Sequence, residues 1–303
     1  MSENGTPVRI RHFTDPGCPF AFSAERQRLR LRWLYGDQLS WSTHMVVLSE
    51  VLPEDLGPER LARSRRSLHE RFGMPMAWTP PPANAATVNA CRAVVAARLQ
   101  SEERCGPLLR RLRVLCFAGL ALDDPGVIAR AATEAGIDPG ELDRWMRAPE
   151  VEEALRADMR AARSPSPASR AQDYKLAGPP DERRYTCPSY ELERTLPPPE
   201  AWPTAGRVDL PGFRPVEAYE AAIANLAPEL ARRPDPESPE AVLAWADMPL
   251  GTAEVAAVCD REVADVRESR PAEPKQPQGA PALPRASART WTSRKPASTL
   301  PVA

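Results

Sequence analysis

The sequence predicts an α/β domain interrupted by a large all-helical insertion, followed by C-terminal helices and a tail. Three observations predict it. Residues 1–52 read as strand, helix, strand, and residues 53–165 carry only helical periodicity. From 166 a strand pattern returns behind a proline-containing turn and passes into helices that run to 269.

In the first segment, "PVRIRHFT" (7–14) sets Val8, Ile10 and His12 against arginines, the period of a half-buried strand. "PFAFSAERQRLRLRWLY" (19–35) carries Phe22, Leu29 and Trp33 at helical spacing. "QLSWSTHMVVL" (38–48) is rich in β-branched and aromatic residues and reads as a second strand. A crossover of this length predicts that the two strands are parallel.

In the insertion, "ATVNACRAVVAARLQS" (86–101) places Val88, Cys91, Val95 and Leu99 on one face. "GPLLRRLRVLCFAGLAL" (106–122) does the same with Leu108, Leu112, Leu115 and Leu120. Two further helices open with Asp-Pro: Asp124 and Asp138 suit the cap, and Pro125 and Pro139 the first helical position. Arg60, Arg63, Arg65, Arg66 and Arg71 read as a solvated helix face, with an anion site as the alternative.

Beyond the insertion, "RRYTCPSYELERTL" (183–196) reads as loop, turn and strand, and "AGRVDLPGF" (205–213) as the strand that returns. Helices follow at 214–230, after Ser238 and after Thr252. Residues 270–303 have almost no apolar periodicity and are expected to be a disordered, mildly basic tail, with Trp291 its one aromatic landmark.

The 40 basic and 41 acidic side chains leave a net charge of −1, which gives no overall attraction to nucleic acid or anionic lipid. The opening "MSENGTPVRIRHF" has no apolar h-region, and no apolar run approaches the ~20 residues that cross a bilayer. A cytoplasmic protein is the expectation. The 36 prolines cluster at 79–84, 164–169, 196–203 and 233–240 and mark loops. Nothing in the sequence sets the oligomeric state, and a homo-oligomer stays open.

Six cysteines occur without any C-x-x-C spacing, and only three histidines accompany them, which argues against a structural metal site. His12 and His44 fall on the two opening strands and read as structural. Cys18 differs from the other cysteines, because it stands at the start of the first helix. There, unpaired backbone N–H groups and the positive end of the helix dipole stabilise a thiolate. Free thiols titrate near about 8.5, and such positions reach about 3.5–7.5. Pro19 in the first turn loses no helical hydrogen bond. Asp15, just upstream, suits a turn and is placed to accept backbone N–H groups.

The stretch "DPGCPFAF" (15–22) resembles the D-P-x-C-P opening of the DsbA-like thioredoxin family. Relatives in that family include FrnE-type oxidoreductases, 2-hydroxychromene-2-carboxylate isomerases and kappa-class glutathione transferases. "NACRAVVAARLQ" (89–100) is similar to the Asp-Ala-His-Arg helix start of the FrnE type, with Asn89 and Cys91 in place of the acid and the histidine. "YTCPSYEL" (185–192) sits where the family enters a strand through a cis-proline. The resemblance spans about residues 7–230. It implies a thioredoxin-like fold in two parts, 1–52 and 166–269, around the 53–165 insertion. It implies Cys18 as nucleophile, Pro188 in cis, and Cys187 facing Cys18. Asp15, Pro19, Phe20, Asn89, Thr186 and Pro188 would line the site, with no tightly bound cofactor. A small thiol such as glutathione or an analogue, or a small organic substrate, would be the partner.

Ala21 departs from the pattern, since redox members carry the resolving cysteine there. Three readings follow: single-thiol chemistry with a small thiol, an alternative resolving cysteine such as Cys187, or a domain that kept the fold and lost the reaction to act as a binding module. A reading of another class comes from "GTAEVAAVCDREVADVRES" (251–269), which has the rhythm of a DNA-binding helix-turn-helix. Glu262, Asp265 and Glu268 would face the phosphates there and argue against it.

Overall fold

The structure is a computed structural model. It describes residues 6–52, 57–79, 84–196, 206–246 and 248–268, together with the backbone strand at 290–291.

Strand β1 (Val8–Thr14) buries Val8, Ile10 and His12 and turns Arg9 and Arg11 to the opposite face, as the alternation requires. The helical run that follows is broken in two, α1 (Pro19–Ser23) and α2 (Glu25–Tyr35). The Ser23 hydroxyl donates to the Pro19 carbonyl at 2.8 Å, and such back-bonding to the preceding turn bends a helix. β2 (Leu39–Met45) lies parallel to β1, in a register that sets Arg11 beside Ser42.

Helices α3 (Pro58–Phe72), α4 (Val88–Gln100), α5 (Glu102–Phe117), α6 (Pro125–Glu134), α7 (Pro139–Met146) and α8 (Pro149–Ala162) follow in sequence. Asp124 and Asp138 cap α6 and α7 through Gly126 N–H at 2.8 Å and Glu141 N–H at 2.9 Å. Two apolar assignments fail. Leu99 is exposed on α4, and α5 ends at Phe117, which leaves Leu120 exposed in the turn beyond. Arg65 is buried on α3 rather than solvated, because its guanidinium reaches the Ala77 carbonyl at 3.4 Å. α5 also starts earlier than Pro107 suggests, because Ser101 caps it through Glu103 N–H.

The chain then passes α9 (Pro167–Arg170), β3 (Leu176–Ala177), β4 (Arg184–Tyr185), β5 (Ser189–Arg194) and β6 (Arg207–Leu210). β5 runs antiparallel to β1 and β6 antiparallel to β5, giving a mixed sheet in the order β2-β1-β5-β6. α10 (Val216–Leu226), α11 (Pro239–Ala246), β7 (Leu250–Gly251), α12 (Thr252–Cys259) and α13 (Val263–Glu268) complete this part. Gly251, not Thr252, is the cap residue of α12, and its N–H bonds the Glu254 carboxylate at 2.7 Å. Most of the 270–303 tail lies outside the described residues. Thr290–Trp291 (β8) pairs antiparallel with Leu250–Gly251.

The core has three parts. Val8, Ile10, Leu29, Tyr190 and Leu192 pack with α10–α13 on one face of the sheet. The helical block packs around Val94, Leu108 and Leu112, and its core continues into Phe22 of α1 and Met45 of β2. A small third cluster holds Phe13, Cys18, Ala21, Val46, Tyr185 and Cys187. Buried ion pairs tie the helical block to the rest. Arg110 of α5 bonds Glu254 of α12 at 2.7 Å, and Arg113 of α5 bonds Glu25 of α2 and Thr14 of β1. Removing one member of such a pair leaves an uncompensated buried charge, at a cost of about 3–5 kcal/mol.

Candidate active site

Cys18 is the N-cap residue of α1, with an extended backbone at φ −79° and ψ 116°. Its N–H bonds the Asp15 carbonyl at 3.2 Å, which closes the turn that leads into the helix. The side chain is 5% exposed. Cys187 stands opposite, 6% exposed, and the Cys187–Pro188 peptide bond is cis. The Cys18 thiol donates to the Cys187 carbonyl oxygen at 3.3 Å, and each thiol shifts the other's ionisation.

The two thiols move in opposite directions. The hydrogen bond from Cys187 lowers the Cys18 pKa below that of an ordinary thiol, and the Ala21 and Phe20 N–H groups lower it further; burial and the Asp15 charge oppose them. Burial pushes Cys187 well up, and its bond to Cys18 and the charge there push it further. The bond from a neutral Cys18 to the Cys187 carbonyl favours the protonated form. Cys18 is still the lowered thiol of the two and Cys187 the raised one. The pair therefore deprotonates first at Cys18, with Cys187 as the donor.

The loop that carries Cys187 is braced from both sides. Thr186, half-buried, donates its hydroxyl to the Lys175 carbonyl at 2.8 Å. Ser189 donates to the Thr186 carbonyl at 2.6 Å and accepts from Gly212 N–H at 2.9 Å. Gly212 has φ +71°, and a Cβ there would stand 3.2 Å from the Thr186 hydroxyl, so glycine fits where other residues would be strained.

Pro19 is half-buried beside Cys18, and Pro188 is buried. Phe20 is 42% exposed, and its ring meets those of Phe72 and Phe213, each at 6.5 Å. Phe72 and Phe213 are 4.8 Å apart, and the Arg26 guanidinium sits 5.5 Å over the Phe72 ring. Lys175 donates to the Phe213 carbonyl at 3.3 Å. Phe72, Phe213, Lys175 and Arg26 went unnoticed in the sequence. They come from four separate segments, and no local spacing links them.

Two expected lining residues are placed differently. Asp15 is fully buried. One carboxylate oxygen accepts from Gly17 N–H at 2.7 Å; the other accepts from Leu48 N–H and Thr87 Oγ1, both at 2.8 Å, and from Cys91 Sγ at 3.4 Å. With no exposed surface and both oxygens occupied, Asp15 ties the cysteine loop to Leu48 and α4. Asn89 is exposed at the start of α4 and accepts from Arg92 at 2.6 Å. It lines a pocket of about 250 Å³ with Pro125, Ile128 and Met146 of α6 and α7.

Ala21 is buried one turn into the helix, where it offers an N–H to Cys18 but no thiol. Burial pushes the Cys116 thiol up to about 11 against the neighbouring Arg65, with small further pushes from the Asp15 and Cys18 charges. Among the described residues, no group of three or more His, Cys, Asp or Glu side chains could hold a metal ion. No helix among them is long and apolar enough to cross a membrane.

The fold is shared with solved structures. A candidate protein disulfide isomerase from Nitrosomonas europaea superposes with a TM-score of 0.54 at 17% identity, over 74% of this chain and 98% of the other. A candidate DsbA oxidoreductase from Streptomyces coelicolor gives 0.51 at 17% identity, over 75% of this chain and 92% of the other. No curated protein matches the chain. The profile of the DSBA-like thioredoxin domain matches residues 9–166, which take in β1, the cysteine helix and the helical block. The chain belongs to the DsbA-like thioredoxin family.

Proposed function

We propose that the protein is a thiol–disulfide oxidoreductase that works through Cys18, with Cys187 as resolving cysteine in place of the residue missing at Ala21. The observation that carries this reading is the placement of two buried cysteines together, the Cys18 thiol 3.3 Å from the Cys187 carbonyl of a cis-proline loop; the lowered Cys18 and raised Cys187 agree with it. In the first step the Cys18 thiolate attacks one sulfur of a disulfide RSSR. A protein–SR bond forms, the S–S bond breaks, and RS⁻ leaves and takes a proton. In the second step Cys187 gives up its proton and attacks the Cys18 sulfur, expelling the second RS⁻. The protein dithiol is oxidised by two electrons, and RSSR is reduced to two RSH.

The 5% exposure of Cys18 favours a small disulfide over one embedded in a folded protein. Glutathione disulfide fits this description, with Thr186, Pro188 and Phe20 as the lining. The reducing cytoplasm suits six free cysteines and is the proposed location. A second reading keeps Cys187 as a wall of the pocket, so that chemistry stops at the mixed disulfide on Cys18.

Incubation with oxidised glutathione, followed by intact-mass spectrometry, tests both. Wild-type protein should release two glutathiones and keep no adduct. Cys187→Ala should accumulate an adduct on Cys18, and Cys18→Ser should take none. A persistent adduct on wild type supports the second reading. No reaction in wild type, or an equal adduct on Cys18→Ser, contradicts both.

A further inference from the structure

Far along α2 from the cysteine lies a pocket of about 420 Å³, walled by α2, α5, the end of α6, and the end of α11 with the segment after it. Three guanidinium-bearing residues line it: Arg32, Arg110 and Arg111. Arg110 is neutralised by its buried pair with Glu254 at 2.7 Å. Arg111 lies 4.0 Å from Glu134, whose carboxylate is bonded by Arg130 at 2.7 Å. Arg32 is half-buried, and its side chain has no hydrogen bond or ion pair among the described residues. Burial and the nearby Arg28 push its pKa down, so its positive charge is disfavoured as it stands. A partly desolvated cation facing open volume is a charge in need of a counter-charge.

The rest of the lining is apolar, with Leu29, Trp245, Met248 and Pro249 prominent. Among the described residues Arg32 is the lining cation without a partner, and the mostly apolar walls leave room for one head group on it. The planar guanidinium matches a carboxylate through two parallel hydrogen bonds. We propose that this pocket binds a small amphipathic carboxylate, its head on Arg32 and its apolar body against Leu29, Trp245 and Met248. The site is separate from Cys18 and does not depend on thiol chemistry there. Its walls come from α2 and from the helical block, so an occupant bridges the two.

Titration calorimetry on the full chain with octanoate tests this, with acetate as the head alone. Octanoate should bind saturably at one site, and acetate should not. Arg32→Gln should weaken octanoate by about tenfold or more, the effect of losing a charged hydrogen-bond partner. Ala135→Phe, which fills the half-buried wall position at the end of α6 and leaves every charge in place, should weaken it similarly. Cys18→Ser should bind as wild type does. The proposal is overturned if octanoate gives no saturable heat, or if acetate binds as well as octanoate. It is also overturned if either the Arg32 or the Ala135 variant binds as tightly as wild type.

Discussion

The Cys18 thiol donates to the Cys187 carbonyl at 3.3 Å across the gap between a helix start and a cis-proline loop, 169 residues apart in sequence. The two thiols are unequal: the Cys187 side chain and the helix N–H groups lower Cys18, and burial and Cys18 raise Cys187. In the thiolate form Cys187 is the donor. Replacing it with alanine should therefore raise the Cys18 pKa, while serine, which keeps an O–H donor, should raise it less. Alkylation rate against pH reads this directly. In wild type the midpoint should lie below the ordinary thiol value of about 8.5. A midpoint that does not move in Cys187→Ala would mean that the backbone N–H groups act alone.

Asp15 carries a prediction with two signs. Its negative charge raises the Cys18 pKa, while its oxygens hold Gly17, Leu48, Thr87 and Cys91. Asp15→Asn should lower the alkylation midpoint of Cys18 and at the same time destabilise the fold by about 2–3 kcal/mol in urea, because charged hydrogen bonds are lost from a buried site. A substrate-binding role would instead change the KM for the disulfide and leave the alkylation midpoint where it was.

Glu25 sets the acid limit of stability. Burial pushes its carboxyl up, but Arg28, Arg113 and Arg110 overcome that and bring it to about 2, below its ordinary value of 4.5. A carboxylate depressed in the folded state contributes stability above its unfolded pKa and loses that contribution as pH falls through the folded one. The loss should thus run from about pH 4.5 down to about pH 2, on the order of 3 kcal/mol in total. Urea melts across that range should show it, and Glu25→Gln should flatten the slope while lowering stability at neutral pH.

Ala21→Cys should rebuild the missing spacing. Ala21 is buried one turn along from Cys18, and its N–H already points at that sulfur. Under mild oxidation the variant should bridge Cys18 to the introduced thiol in competition with the Cys18–Cys187 bridge, as read by peptide mapping. If it formed only the bridge to Cys187, the α1 geometry would be unsuited to the shorter link.

Much of the sheet was legible because it rests on local pattern. The alternation of Val8, Ile10 and His12, and the Asp124 and Asp138 caps, are short-range features, and the structure has them as read. The misreadings mark where local pattern runs out. Leu120 follows the helical period, yet α5 stops at Phe117. Ser23 splits the first helix through a bond that periodicity does not record. Asp15 could be read as a turn acceptor from Gly17 alone, but its bonds to Thr87 and Cys91 come from the helical block and decide that it is sealed. The aromatic wall of Phe20, Phe72 and Phe213 joins three distant segments and left no trace in the spacing. The position of Cys187 opposite Cys18 was suggested by motif order shared with a family, not by either motif alone.

Whether Cys18 and Cys187 form one redox centre decides the chemistry of this protein. Mild oxidation of the wild-type protein with oxidised glutathione, followed by alkylation, digestion and peptide mapping, measures it. The predicted result is a dominant Cys18–Cys187 cross-linked peptide that vanishes in Cys187→Ser and is reversed by reduced glutathione. A dominant bridge from Cys18 to Cys91 or Cys116, or oxidised protein with both Cys18 and Cys187 still free, would contradict it.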